Sequence, residues 1–378
     1  MSISNISIEP NNPWELKWYT NWDEIQSEEF QLRWKQLIDS SSHCTPFYYP
    51  SLVEAWVETH GGRQNLDPLF LIAKNKESTE ILLPFIRIKT SWKQGFIKRM
   101  FPIGHLLFDY NYPIIFSNKQ QSDKLLDDEL FNELIREIQS QGSDWYDSFS
   151  LPRIRNNLLN VINNKYKITD RAPYLDLSAY NNFEEYFNSR KKSLRSDIKR
   201  QINHLQNKGE ITLKVYTANE LNDVYNWIPD LEKNRKLRYP TSKLPSGWLK
   251  NLVKHGLPEN IVHCSCLFLN ETQLSWHIGF SNNNTIYWYV PIYNLDYGDF
   301  SPGKIHIYYM LKWAFENNIK IFDFLRGCEV YKAGWTDGSQ YEMVGFDLEN
   351  NSNISYFRKA SASKLNKLGY LKQFVLKR

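Results

Sequence analysis

Apolar positions recur at helical spacing in some stretches of the chain and at period two in others. Leu194, Ile198, Ile202 and Leu205 fall 4, 4 and 3 residues apart, which stacks them on one face of a helix. The same pattern predicts helices over 27–38, 50–60, 125–141, 180–189, 191–208, 219–236, 246–255 and 302–317. Alternating apolar runs bounded by turn residues predict strands over 69–73, 81–88, 112–116, 147–151, 173–177, 211–216, 262–269, 273–281, 285–292 and 320–325. Residues 1–20 read as a polar arm leading into a first strand, 92–112 as irregular and aromatic. Pro152 is expected to end the strand before it. The chain end reads as short strands and a basic helix.

Each half therefore gives helices, antiparallel strands, one long helix and another strand. That is an α+β pattern, with two similar halves joined near 160–175. The expected domains are 1–170 and 171–378.

The unit 285–325 is strand, loop, helix, strand. Its helix opens with Ser301-Pro302-Gly303-Lys304. Ser301 suits an N-cap, and Pro302 lacks the N–H that would go unpaired there. Gly303 admits a ligand close to the backbone. The helix N-terminus and Lys304 together favour an anion; an ordinary capped helix is the other reading. The helix is apolar nearly all round, from Ile305 to Phe315, and so is expected to be central. Beyond the next strand come Asp323, Arg326, Gly327, Glu329, Tyr331, Lys332 and Trp335. Polar and aromatic groups thus crowd at a strand's C-terminal end, where enzymes commonly place their chemistry.

Composition adds a little. There are 13 Trp, 23 Tyr and 21 Phe; these fit either a ligand cleft between domains or a generally aromatic core. A net charge of +4 argues against nucleic-acid binding. Cys44, Cys264, Cys266 and Cys328 form no disulfide framework, and no Cys/His cluster has zinc spacing. No metal is expected. With no leader-like segment and no run of 18 apolar residues, a cytoplasmic protein without membrane insertion is expected.

Several of these segments together resemble a known family. Ser301-Pro302-Gly303 before an aliphatic helix, then Phe322-Asp323-Phe324-Leu325, Gly327, Glu329, Tyr331-Lys332 and Trp335, are similar to the CelD/BcsL-like branch of the GNAT acetyltransferases. So are the helix around 194–207, Thr45-Pro46-Phe47 with Trp56, and Asp109-Tyr110. The likeness spans roughly 45 to 340. It implies a tandem GNAT fold related to the Fem-type transferases. The C-terminal domain would bind acyl-CoA, and a degenerate N-terminal copy would help enclose the acceptor. Relatives that N-acylate dTDP-linked amino sugars for surface polysaccharides, such as lipopolysaccharide O-antigen or capsule, set the expected acceptor. A homodimer stays open. Ser-Pro-Gly-Lys departs from the usual pyrophosphate signature, which is richer in Arg, Gln and Gly.

The resemblance and the residues' own chemistry together suggest roles. In GNAT folds the strand before the long helix splays from its neighbour and pantetheine inserts there. Pro291 suits such a splay. Main-chain groups of Tyr289, Val290 and Ile292 would polarise the thioester, with Ser301, Gly303, Lys304 and Arg195 at the phosphates. Glu329, then Asp323, then His277 are the candidate bases, and Tyr331 would protonate the leaving thiolate. Each has a plainer reading: Glu329 as a loop carboxylate paired with Lys332 or Arg326, His277 as a hydrogen-bonded core residue. Lys191, Arg195 and Lys199 form a row that either holds phosphate or is a solvated basic face. Asp109, Tyr110, Lys191, Lys332 and Trp335 are placed at the acceptor; Asp109-Tyr110 is otherwise an aromatic loop closing the first core. Two alternatives to the nucleotide-sugar enzyme are a Fem-like transferase using aminoacyl-tRNA and a non-catalytic nucleotide-sugar binder.

Overall fold

A computed structural model describes residues 14–41, 44–76, 79–90, 96–116, 128–155, 167–241 and 244–363. Residues 1–13 of the polar arm, 125–127 of the expected helix and 364–378 of the basic end lie outside them.

The first half runs β1 (Trp14–Tyr19), α1 (Trp22–Ile25), α2 (Glu28–Ser40), α3 (Pro50–Thr59), β2 (Asp67–Asn75), β3 (Glu80–Lys89), β4 (Lys98–Pro102), β5 (Ile114–Phe116), α4 (Asp128–Ser140), α5 (Gly142–Trp145) and β6 (Ser148–Arg155). The second runs β7 (Lys167–Asp176), α6 (Phe183–Ser189), α7 (Lys192–Gln206), β8 (Ile211–Tyr216), α8 (Leu221–Arg238), α9 (Trp248–Gly256), β9 (Val262–Leu269), β10 (Thr272–Asn282), β11 (Thr285–Tyr293), α10 (Pro302–Glu316), β12 (Ile321–Asp323) and β13 (Gln340–Glu349). The class is α+β, a large and mostly antiparallel sheet flanked by helices.

The strand order is β1-β2-β3-β4-β6-β13-β7-β12-β11-β10-β9-β8, with β5 beside β3. It reads as a repeat. Antiparallel β1 to β4 are followed by β6, parallel to β4. Antiparallel β8 to β11 are followed by β12, parallel to β11. A parallel neighbour needs a crossover, and a helix supplies it each time: α4 in one half, α10 in the other. The last strands are exchanged. β7 follows β6 in the chain yet pairs with β12, whereas β13 follows β12 yet pairs with β6. β7 and β13 then pair with each other and join the half-sheets. Residue 170, where the domain boundary was placed, falls within β7.

Helices close the seam on one face. α3 packs on α9, with Leu52, Trp56, Trp248 and Leu252 all buried. Gly256 permits this approach: a Cβ there would stand 2.3 Å from Val262 and 2.9 Å from Leu52. α10 buries Ile305, Ile307, Met310, Leu311 and Ala314, as its nearly unbroken apolar sequence requires.

Three sequence expectations are corrected. β4 lies inside the stretch read as irregular. β6 does not stop at Pro152; it passes through a register shift opposite Gly345, which leaves the proline outside the regular ladder. The chain end contributes one ten-residue central strand, β13, then a helix over 353–363. Among the described residues no helix is long and apolar enough to cross a membrane.

Candidate active site

The site begins where two strands part. β11 and β12 pair only from Thr285–Ile321 to Tyr287–Asp323, while β11 continues to Tyr293. The register with β10 slips here: Ile278 faces Val290, but Phe280 faces Tyr287. Trp288 and Tyr289 together therefore oppose Gly279. A Cβ on Gly279 would come within 2.1 Å of the Tyr287 carbonyl, so glycine is what the bulge tolerates. Bulges bend the strand that carries them, here just as it leaves β12.

The opened space is a cavity of about 630 Å³. Its walls are the free length of β11, the first turns of α10, the loop after β12 and the end of α8. An exposed strand edge with no strand beside it can take an extended ligand as a further strand. Such a ligand would run from the splay toward the N-terminus of α10.

Of the residues given a catalytic, acyl-CoA or acceptor role from sequence, nine line this cavity: Tyr289, Val290, Ile292, Ser301, Gly303, Lys304, Glu329, Tyr331 and Lys332. Ser301 is no side-chain cap. It adopts a left-handed conformation at φ 52° and its side chain makes no capping bond, leaving the helix entrance without one. Lys304 is engaged, at 2.8 Å, by Asp197 of α7. The Tyr289 N–H is also engaged, donating to His277 Nε2 at 3.3 Å, so it is not free to polarise a carbonyl. The Tyr289 hydroxyl donates to the Leu107 carbonyl at 2.8 Å and ties the cavity wall to the first half.

The other seven lie elsewhere. His277 is fully buried and stacks on Trp288, centroids 3.9 Å apart. Burial, then the neighbouring His263, pushes its pKa well below the usual value; it is a neutral core residue. Trp335 is 1% exposed and accepts from the Tyr186 hydroxyl through its carbonyl, a core position rather than a substrate contact. Arg195 turns back to the Arg190 carbonyl and Asn188. Lys191 is exposed ahead of α7. Asp109 is buried and bonded to Arg326 at 2.8 Å.

Asp323 and Tyr110 meet at the end of β12. Both Asp323 carboxylate oxygens accept from the Tyr110 hydroxyl at 2.9 Å, one also from Arg155 at 3.0 Å, and one from the Leu325 N–H at 2.7 Å. Burial raises the Asp323 pKa to about 6, and Arg155 opposes that rise. Arg155 stacks over the rings of Tyr110 and Tyr341. A buried carboxylate is tolerated only with such partners. They bolt β12 to the first half and fix where the following loop begins.

Lys332 holds that loop. Its side chain is 4% exposed, and its ammonium donates to the carbonyls of Arg326 at 2.7 Å, Gly327 at 3.1 Å and Leu325 at 3.4 Å, and pairs with the Glu329 carboxylate at 2.8 Å. The lysine is a clamp rather than a free substrate contact. The pairing of Glu329 with Lys332 is the plainer of its two sequence readings, yet the carboxylate still lines the cavity and stays over half exposed. Beside it, Tyr331 is pushed up in pKa, first by burial and then by Glu329; it stays protonated at neutral pH.

Residues 192–333 match the family described as Acetyltransferase (GNAT) domain. The chain carries a GNAT domain. That domain makes it an acyltransferase, and the matched span holds the splay, α10, β12 and the clamped loop. Solved structures are similar in fold over more than four fifths of the chain. FemX aligns at a TM-score of 0.57 and 11% identity, over 84% of this chain and 96% of FemX. The C-terminal domain of a putative lysylphosphatidylglycerol synthetase from Agrobacterium fabrum aligns at 0.52 and 9%, over 87% and 94%. A conserved protein of unknown function from Bacteroides thetaiotaomicron aligns at 0.51 and 10%, over 84% and 97%. At such identities the likeness is one of fold. No curated protein matches the chain.

The GNAT domain brings in groups that sequence reading missed. Arg238 and Tyr239, at the end of α8, line the cavity, and Arg238 lies over the Tyr293 ring at 4.3 Å. The run of four cations from Lys233 to Arg238 was the available signal. Ser275 and His306 also line it. His306 bridges the hydroxyls of Ser265 at 3.0 Å and Ser275 at 2.8 Å, and burial lowers its pKa to about 3, so it is neutral. Among the described residues no group of His, Cys, Asp and Glu could hold a metal.

Proposed function

We propose that the chain moves an acyl group, acetyl or a short hydroxyacyl, from acyl-CoA to the amine of a nucleotide-linked amino sugar. The residues that resemble the CelD/BcsL-like branch favour a dTDP-linked acceptor made for surface polysaccharides. The observation that carries the acyl-CoA part is the cavity between the free length of β11 and the end of β12, closed at one end by the uncapped start of α10. A pantetheine arm suits that edge, with its phosphates toward Ser301, Gly303 and Lys304. In this reading residues 171–378 bind acyl-CoA and residues 1–170 enclose the acceptor. A soluble protein of the cytoplasm belongs to the same reading, as the setting of a nucleotide-linked substrate.

The chemistry is one substitution at the thioester. The amine nitrogen attacks the carbonyl carbon, a C–N bond forms, the C–S bond breaks, and CoA leaves as thiolate. Glu329 takes the proton that the attacking nitrogen loses. Tyr331, which lines the cavity and is protonated at neutral pH as any ordinary tyrosine is, gives its proton to the thiolate. Asp323 and Arg155 act as positioning residues by fixing the end of β12.

Mass spectrometry of products from an acyl-CoA mixture with dTDP- and UDP-linked amino sugars tests this. One N-acylated sugar and an equal amount of free CoA thiol are expected. Glu329→Gln should lower kcat by about 100-fold or more, the range for losing a general base. Wild-type turnover in that variant would remove the base assignment, and no product from any CoA donor would remove the function. Transfer from aminoacyl-tRNA, or ligand binding without transfer, would select one of the two alternatives.

A further inference from the structure

The seam between the halves holds a cation that the acyl-transfer step does not use. Arg153 sits in β6 at φ 62°, a left-handed conformation that non-glycine residues rarely adopt. It lies where the pairing of β6 with β13 shifts opposite Gly345. The residue is 5% exposed, and its Nε and Nη2 have no hydrogen-bond partner among the described residues. Buried, unmatched donors on a strained backbone are doubly unfavourable. That combination commonly marks a group kept for a ligand.

Its surroundings point to the ligand's charge. Burial, and then the nearby Arg326, press the Arg153 pKa down, while Asp109 pulls it up. Asp109 is already bonded to Arg326. Arg326 thus holds the carboxylate, and Arg153, which makes no ion pair among the described residues, is left as a positive charge in excess. The excess adjoins the proposed site. Arg326 directly follows Leu325, a cavity residue, and the Asn111 N–H, two residues on from Asp109, donates to the Arg153 carbonyl at 3.1 Å. Arg326 is 41% exposed at its side chain, so a solute can reach it. Guanidinium forks match phosphate and carboxylate oxygens in pairs.

We propose that Arg153 and Arg326 form a subsite for an anionic group, phosphate or carboxylate, carried by the acceptor. The anion competes with Asp109 for Arg326 and supplies the acceptors that Arg153 lacks. This rests on reading the neighbouring cavity as the acyl-transfer site. It deepens that reading, because the acceptor would be chosen by an anion as well as by its amine.

Calorimetric titration of the CoA-saturated protein with inorganic diphosphate and, separately, with malonate tests the subsite. Saturating CoA fills the anion position at α10 first. At least one probe should bind, and Arg326→Ala should weaken it about tenfold or more, roughly 1.4 kcal/mol, with CoA affinity unchanged. Binding of diphosphate alone assigns a phosphate-bearing acceptor, binding of malonate alone a carboxylate-bearing one, and both results support the subsite. Arg153→Met is the direct variant but alters a strained buried position. Arg326→Ala is exposed enough to keep the test valid if Arg153→Met does not fold. If neither anion binds, or if both bind Arg326→Ala as they bind the wild type, the subsite is wrong. Failure of CoA itself to bind would count against the acyl-donor reading, and the comparison of wild type with Arg326→Ala would still score the subsite.

Discussion

Ending the chain at Ser339 yields no cooperatively folded protein. The reason is the strand exchange. β13 lies in the middle of the sheet, paired to β6 on one side and β7 on the other. Without it both partners become open edges, which invite association with other chains. Met343, Val344 and Phe346 also leave the core, where they are 0%, 4% and 8% exposed. At about 1.5–3 kcal/mol for each large apolar side chain, this alone approaches the roughly 5–15 kcal/mol that holds a domain together. Two hydrogen-bond ladders go with it. The check is thermal unfolding by circular dichroism with size-exclusion chromatography. Aggregated or expanded chain is expected. A sharp transition near that of the full chain would show that the N-terminal sheet closes without its exchanged strand.

Lys332→Met is expected to abolish most turnover while leaving a folded protein. Methionine matches the length of the lysine stem but has no ammonium. The carbonyls of Arg326 and Gly327 would lose their donor inside the protein, at about 1–3 kcal/mol for each buried group left unmatched. The loop would relax to find water. Glu329 and Tyr331 ride on that loop, and a displacement near 1 Å at a reacting group can lower rate by about 100-fold. The expected pattern is a fall in kcat of that order with little change in CoA affinity, since β11 and α10 keep their own supports. Lys332→Arg should recover only part, because a planar fork does not reproduce a tetrahedral ammonium. Equal turnover in Lys332→Met and the wild type would mean that the loop needs no clamp.

Much of this architecture could be read along the chain. α3, α7, α10 and the strands β9, β10 and β11 announce themselves by periodicity, with Pro302 opening α10. Their structure depends on neighbours a few residues away, which is what periodicity records. The misses share a different cause. β4 is five residues in an aromatic stretch, too short for a pattern. β6 passes Pro152 because a register shift takes the proline out of the ladder, and that depends on Gly345, about 190 residues later in the chain. The exchange of β7 and β13 is a pairing between distant segments and leaves no local mark.

The site was legible in the same uneven way. The residues around α10 and the loop after β12 stand within one strand-helix-strand unit, and the fold keeps them beside one cavity. Their individual states were not readable. Whether Lys332 points to a ligand or to three carbonyls, and whether Ser301 caps its helix or turns left-handed, is decided by the fold of the loop. Arg155 was missed because it lies past Pro152, where the strand was expected to have ended. His277 was overvalued because nothing in its own strand shows that Trp288 covers it.

The central claim is that the parted strands β11 and β12 hold the acyl donor. Isothermal titration of CoA into the wild type and into Val290→Trp addresses it directly. Val290 is partly exposed on the cavity wall and packs its inner side against the core, so an indole there narrows the groove. One CoA should bind per wild-type chain, and Val290→Trp should lose about tenfold or more in affinity at an unchanged melting temperature. Equal CoA binding by the two proteins, or none by the wild type, would contradict the account.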